Sequence, residues 1–458
     1  MSIAPLPFPA GIECIGTLQR GTKPRIMEKL TEGVWILTTI NLRYGNTSFS
    51  CRWPGAQVLS AVPPPPALER SALINAALDA PLGSPPLKEI VQPGETVTIV
   101  TSDITRYTGS EHYLPILVER LKGCGVDDGD ITILIALGIH RKQSESEHRK
   151  ILGPLYGRIN VCDHECDNPA RLVTIGRTTG GIPVTVNRLV AEADRVIVTG
   201  TAGFHYFAGF GGGRKGLVPG VASRETCMAT HFAVFNPQHI GGRNLRATTG
   251  VLEGNPVHEA LLEAARMIAP DFLLNTVLSP EKEILNVFCG DLETAHLAAC
   301  AKVRDLYAVP LDAAADLAIV SCGGQPKDIN FIQAHKALDY GVRALRPGGT
   351  LVLLAACPDG FGNPTFFDWF RHQDLGSFEA ALRQGYEING QTAYATLAKA
   401  RAFRVILVSE LGEVETGAMG MEKAADLEAA LALAREQRPQ RCVIIPDGGT
   451  VVPMIVAP

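Results

Sequence analysis

The chain has 458 residues, with 42 Lys and Arg against 47 Asp and Glu, a net charge of −5 at pH 7 and a pI near 6.1, so it offers no excess of positive charge to draw nucleic acid or an anionic membrane. It contains neither an apolar run of about eighteen residues nor a basic leader followed by an apolar stretch, and neither membrane spanning nor secretion is expected. Eleven scattered cysteines, an odd number, read as the reduced thiols of a cytoplasmic protein, and the length suggests two domains acting on a small molecule.

Residues 1–40 carry Pro and Gly without periodicity and read as an extension of unknown role, or as sequence upstream of a start at Met27. Alternation over 35–51 predicts a hairpin, the prolines of 63–66 a stiff linker, and 68–78 a helix. Short β-branched runs at 95–101, 131–136 and 195–200, with helical segments such as 112–122 between some of them, predict an open α/β sheet. Ligands of such sheets sit beyond the carboxyl ends of strands, where Asp103, Arg106, His140 and His205 fall.

Residues 273–287 predict an antiparallel hairpin turning at Ser279-Pro280, and 294–307 a helix. A second series opens at 316–321, continues at 350–355 and 404–408, and precedes a last strand at 442–445. The fold class is α/β: two α/β domains with an active-site cleft between them. The expected division is an extension over 1–40, a cofactor-binding domain over 41–295, a connecting helix over 296–312, a second domain over 313–440, and a terminal strand in 441–458 returning to the first domain.

The segment 203–231, GFHYFAGFGGGRKGLVPGVASRETCMATH, holds most of the chemistry. Gly211, Gly212 and Gly213 give a backbone able to approach a ligand. Lys215 is an amine that becomes a nucleophile when its pKa is lowered, and His231 offers an imidazole, the commonest protein metal ligand. Gly211, Gly213 and Gly216 match GxGxxG without a preceding strand. Arg214 before Lys215 and Gly216 after it exclude a Walker A loop. Cys162, His164 and Cys166 are spaced more tightly than a zinc knuckle, and no second pair follows. In the second series Gln333 and Lys336 lie one helical turn apart and can share a face; Asp328 is a candidate to cap that helix or to position the loop before it.

The run HYFAGFGGGRKGLVPGVAS from His205, followed by His231, resembles the signature HxFAGFxGGRKxxxPGxAS of the nickel-pincer lactate racemase family. Ser102-Asp103-Ile104-Thr105-Arg106, Leu137-Gly138-Ile139-His140-Arg141, and Gln325-Pro326-Lys327-Asp328 leading to Gln333 and Lys336 match further family motifs in order. The resemblance implies a 2-hydroxy acid racemase or epimerase carrying nickel in a pyridinium-3,5-bisthiocarboxylic acid mononucleotide. That cofactor would be joined covalently to Lys215, with His231 as nickel ligand, and would be made by cofactor-synthesis proteins needed for maturation.

Asp103, Arg106 and the three glycines would then line the cofactor, and Arg106, Gln333 and Lys336 would contact the substrate. Inversion by hydride transfer through a planar 2-oxo acid avoids a carbanion and needs two general acid/base groups, for which His140 and His205 are the candidates. Tyr107 and Ile332 replace the proline and tyrosine of lactate racemases, and Gly203-Phe204 differs from the polar pair usual before the histidine, so a substrate other than lactate is left open. Two alternatives are an NAD-dependent 2-hydroxy acid dehydrogenase and a non-catalytic two-domain small-molecule-binding protein. The first would place its GxGxxG in the first βα turn with an acidic residue about twenty positions on; the second would not need paired histidines beside a lysine.

Overall fold

The computed structural model describes residues 39–63 and 68–456. All but the last two residues of the expected 1–40 extension, and most of the 63–66 linker, lie outside the described residues. Ile40–Tyr44 and Thr47–Cys51 form the expected hairpin.

The first sheet has six strands in the order Ile284–Gly290, Phe272–Leu278, Arg195–Ala202, Val97–Ser102, Ile131–Ala136, Asn160–Asp163. All are parallel except the first, which pairs antiparallel with Phe272–Leu278 through the expected hairpin. Both faces are covered, so the strands read as nearly unbroken apolar runs: Ile99, Ile133 and Ile197 face one cluster, Val100, Leu134 and Val198 another. The helix expected at 112–122 lies within Ser110–Gly123, burying Tyr113, Leu114, Leu117, Val118 and Leu121 at the spacing that puts them on one face.

The second sheet is wholly parallel, in the order Glu422–Ala424, Arg404–Val408, Leu345–Leu354, Ala315–Ser321, Cys442–Ile445, Gln57–Val58. Its last two strands correct the expected division. Cys442–Ile445 does not return to the first domain but lies beside Ala315–Ser321. The amino-terminal strand Gln57–Val58 pairs with it, and Leu42 and Cys51 of the hairpin bury among Leu317, Ile319 and Ile444. The early strands expected in the first domain therefore complete the second, covering an edge and a face that local periodicity does not identify. Helix Leu292–Tyr307, capped by the Asp291 carboxylate on the Glu293 and Thr294 amides, leads into the second domain.

Each sheet has a point where the strand order reverses. In the first it falls between Val97–Ser102 and Arg195–Ala202, in the second between Ala315–Ser321 and Cys442–Ile445. Loops leaving the carboxyl ends of strands there diverge and leave a crevice. One apolar cluster spans both sheets, from Val100 and Val198 to Val320 and Leu353.

After Arg195–Ala202 the chain crosses to the helices of the second domain. Tyr340 Oη donates to Phe204 O at 3.1 Å, Arg383 Nη2 to Asn236 O at 2.7 Å, and Thr249 Oγ1 to Asp339 Oδ2 at 2.8 Å. Asp339 is itself paired with Lys399 at 2.9 Å.

Candidate active site

Asp103 follows the first strand at the reversal point and is buried. Its Oδ2 accepts from His140 Nδ1 at 2.5 Å and its Oδ1 from Thr105 Oγ1 at 2.8 Å. Burial pushes the carboxyl up, but the His140 bond and charge, the Thr105 hydroxyl and the Arg106 guanidinium outweigh it and hold Asp103 below the usual range. Donation from Nδ1 fixes the His140 tautomer and leaves Nε2 with a lone pair. The loop is pinned by Gly138 N–H donating to Gly220 O at 2.8 Å. His140 opens onto a groove of about 530 Å³ that reaches Arg224.

His205 follows the other strand of the reversal point, Arg195–Ala202, in the separate two-residue ladder Phe204–His205 with Gly209–Phe210. Its Nδ1 accepts the Ala208 N–H at 3.3 Å, so the neutral ring carries its proton on Nε2. Enclosure by protein first, then nearby cations that include Lys215, Arg106 and Arg214, hold His205 well below the histidine range. The next residue anchors it: Tyr206 Oη donates to Gln391 Oε1 at 2.9 Å and lies 2.8 Å from Thr392 Oγ1 on helix Ile388–Ala402. His205 thus leaves a first-domain strand but is set in place by the second domain.

Phe207 joins three of the expected residues. Its ring centroid is 4.5 Å from that of His205, 5.2 Å from that of His231 and 5.6 Å from Lys215 Nζ. Lys215 lies in the single 3-10 turn Gly213–Gly216. Burial, with Arg214 and Arg106 opposing its charge, pulls its amine down to about 7. No long helix begins at this turn, so the GxGxxG match lacks the helix amino terminus that would hold a dinucleotide pyrophosphate.

The glycines have a packing explanation. Gly212 has φ +73°, and a Cβ there would meet Asn275 Oδ1 at 2.7 Å and Thr201 O at 2.9 Å; one on Gly213 would meet the His296 ring at 2.7 Å. Protein fills the space that a bare backbone was expected to leave for a ligand at those two positions. Gly211 has no such close neighbour.

His231 is buried near the end of helix Arg224–Phe232, which Ser223 caps on the Thr226 amide. Its Nδ1 donates to Cys227 O one turn back at 2.8 Å. That bond leaves Nε2 as a free lone pair, and burial, with the Lys215 charge, pulls the ring down to about 3, so it stays neutral. Among the described residues no three His, Cys, Asp or Glu side chains cluster as a metal site; a metal on His231 would bring its other donors with it.

From the second domain, helix Phe331–Gly341 presents Gln333 and Lys336, whose ammonium donates to Gln333 Oε1 at 3.1 Å. Lys336 is exposed to solvent, which screens the downward pull of the surrounding protein, Arg106 and Lys327 on its ammonium. Arg106 is exposed, with no carboxylate partner among the described residues, and its field reaches His205, Lys215 and Lys336 alike. The Arg106 charge is thus felt by His205 and Lys215 of the first domain and by Lys336 of the second.

The structure decides two secondary readings. Asn330, not Asp328, caps the Phe331–Gly341 helix, while the Asp328 carboxylate accepts from Gly45 N at 2.8 Å and Ala356 N at 3.3 Å. His164 spends both nitrogens on protein, Nε2 donating to Ala222 O at 2.9 Å and Nδ1 accepting from Asn187 Nδ2 at 3.2 Å, which excludes it as a zinc ligand. Tyr107 turns to Glu111, donating to Oε1 at 2.7 Å. Tyr206, Phe207 and Arg214 are the neighbours that sequence reasoning missed; the aromatic run beside His205 was the available signal for the first two.

A family model described as the lactate racemase N-terminal domain matches residues 44–241, and one described as the lactate racemase C-terminal domain matches 311–453. Lactate racemase of Thermoanaerobacterium thermosaccharolyticum is 32% identical over 391 residues, covering 83% of this chain and 89% of that protein. Lactate racemase of Lactiplantibacillus plantarum is 33% identical over 397 residues, covering 84% and 91%. The structure of the T. thermosaccharolyticum lactate racemase apoprotein superposes with a TM-score of 0.82 at 29% identity, covering 91% of this chain and all of that one. A Thermotoga maritima protein of known structure, at 21% identity, shares the fold with a TM-score of 0.64 over 86% of this chain.

Proposed function

The chain belongs to the lactate racemase family and is an isomerase, and from that premise we propose that it inverts C2 of a 2-hydroxy acid with His140 and His205 as the acid/base pair and a nickel-pincer nucleotide held by Lys215 and His231. The observation that carries this reading is the preparation of those two residues: an imidazole whose Nδ1 is spent on Cys227 O, leaving Nε2 free, beside an amine that burial brings to about 7. A neutral imidazole suits a metal with soft sulfur donors, and a depressed amine suits covalent attachment, so the residues present fit the group. When bound, it supplies a hydride acceptor and donor next to C2.

His140 and His205 are prepared for opposite halves of the reaction. The Asp103 bond leaves His140 Nε2 able to take the hydroxyl proton, with the carboxylate placed to balance the charge that forms. The Ala208 amide leaves His205 Nε2 carrying a proton it can give to the oxygen of a planar 2-oxo acid. Reversing the order serves the other enantiomer. Arg106 and Lys336 supply positive charge for the substrate carboxylate, and a guanidinium suits bidentate pairing with it. Asp103 and Gly211 are the residues we assign to the border of the nucleotide, on the family resemblance of their motifs. The group is supplied by separate synthesis proteins, and the protein works in the cytoplasm.

The test is the intact mass of protein produced together with the pincer-synthesis proteins, alongside Lys215→Ala made the same way. A cofactor-sized adduct on the parent alone supports the reading and directs a chiral screen of 2-hydroxy acids. An unmodified parent, in a host where a known family member acquires the adduct, rules out the covalent pincer.

A further inference from the structure

Where the crossing segment meets the second-domain helices, several polar atoms around Tyr206 are buried without a partner. The Tyr206 ring lies 5.5 Å from the His205 ring, nearly parallel at 12°, and 4.9 Å from the ring of His335 on helix Phe331–Gly341. Gln391, wholly buried, accepts the Tyr206 hydroxyl on Oε1 and leaves Nε2 without an acceptor. His335, 1% exposed, leaves Nε2 unpaired. Tyr386 packs edge-on against Phe232, the neighbour of His231, with ring centroids 5.3 Å apart, and its Oη is buried without a partner.

Arg243 adds a charge to this set. Its backbone is pinned, the carbonyl accepting from Asn236 Nδ2 at 3.3 Å, while Nη2 reaches only Ala247 O at 3.3 Å and Nε is buried and unpaired. The nearby carboxylates are engaged elsewhere: Asp339 with Thr249 and Lys399, Glu379 with Arg383 and the Gly242 N–H. No carboxylate pairs with Arg243 among the described residues, and its charge acts on Tyr206, His335 and Tyr386 alike. Buried polar groups are nearly always satisfied, and a buried donor left open costs the desolvation of that group. Gln391 Nε2 and Arg243 Nε can only donate, and Tyr386 Oη and His335 Nε2 are able to, so what the cluster lacks is an acceptor bearing negative charge.

We propose that this cluster, one aromatic ring away from His205, is a subsite for a second carboxylate, so that the 2-hydroxy acid inverted is dicarboxylic, with Arg243 and Gln391 donating to the distal carboxylate and the Tyr386 hydroxyl beside them. The inference rests on the 2-hydroxy acid reading and narrows it. Arg106 and Lys336 are left for the carboxylate on C1. A site built to hydrogen-bond a group rejects the analogue that lacks it, because its buried donors are then left unpaired.

The experiment is calorimetric titration of the protein, cofactor-free and matured, with malate and 2-hydroxyglutarate and with their methyl-ended counterparts of equal length, 2-hydroxybutanoate and 2-hydroxypentanoate. One dicarboxylate is expected to bind about tenfold or more tightly than its counterpart. Arg243→Met should level that pair and leave the monocarboxylate affinity unchanged. Tyr386→Phe removes a hydroxyl that bonds to nothing in the protein, so it should keep the wild-type urea midpoint while weakening the dicarboxylate about threefold or more.

Equal affinity within both pairs, no saturable binding of either dicarboxylate, or a preference that both variants leave intact overturns the proposal, and buried water then satisfies the cluster. Tighter binding of gluconate than of either dicarboxylate overturns it in favour of a hydroxylated tail. Should Arg243→Met not fold, Tyr386→Phe decides alone. The titration reads equilibrium binding, so a missing pincer adduct leaves this inference standing, and an adduct on a protein indifferent to the second carboxylate sinks this inference alone.

Discussion

His205 and His231 both pack against the ring of Phe207, yet their hydrogen bonds prepare them for different work. His231 spends Nδ1–H on its own helix and keeps Nε2 bare; His205 accepts an amide on Nδ1 and keeps Nε2 protonated. Protein matured with the pincer-synthesis proteins should therefore lose its nickel in His231→Ala, measured by elemental analysis. His140→Ala and His205→Ala should keep nickel while racemisation falls by about 10²-fold or more. Nickel lost from both of the latter and retained by His231→Ala would reverse the assignment. At this scale His140, His205, Lys215, Arg106, Lys336 and His231 were picked out as candidates by residue type, strand-end position and the resemblance to the family signature. Arg214 was not, because an arginine before the lysine has meaning only once it is known to be buried without a carboxylate.

At the scale of the element, the glycine loop is built for packing as much as for binding. Gly212 holds φ +73°, and the space a methyl would need is taken by Asn275 Oδ1 and Thr201 O. The Asn275 Oδ1 also accepts the Gly213 N–H at 2.9 Å, so the loop is fastened to the first sheet through one side chain. Gly212→Ala should combine left-handed strain of about 1–3 kcal/mol with that clash, lowering the denaturation midpoint of the cofactor-free protein. A midpoint equal to wild type would mean the loop relaxes and the packing account is wrong. Three consecutive glycines announce a turn, but whether the bare face meets a ligand or a neighbouring strand depends on residues such as Asn275, more than sixty positions away.

At the scale of the molecule, the residues between the two sheets belong by sequence to one domain and by contact to the other. The crossing chain is held by Thr249 on Asp339 and by the Asp339–Lys399 pair. Burial pushes the Asp339 carboxyl up, but Lys399, His335 and Arg343 outweigh it and hold it below its ordinary value. Because the folded pKa is depressed, that stabilisation is present above the unfolded value near 3.9 and is lost as pH falls through the folded value. Asp339→Asn leaves Lys399 buried and unpaired, a loss of about 3–5 kcal/mol at pH 7, measurable by urea unfolding. The gap between variant and wild type should narrow below about pH 4; a gap independent of pH would remove the ionic account.

The sequence by itself determined the α/β class and most strand and helix positions, because apolar periodicity is a local property of the chain. Only the tertiary structure decided that Gln57–Val58 and Cys442–Ile445 join the second sheet, that Tyr206 ties the segment of His205 to a second-domain helix, and that Arg214 is buried with backbone carbonyls as its acceptors and no carboxylate partner among the described residues. Such outcomes depend on which edges remained to be paired and which groups lost their water, quantities that exist only once distant segments have met.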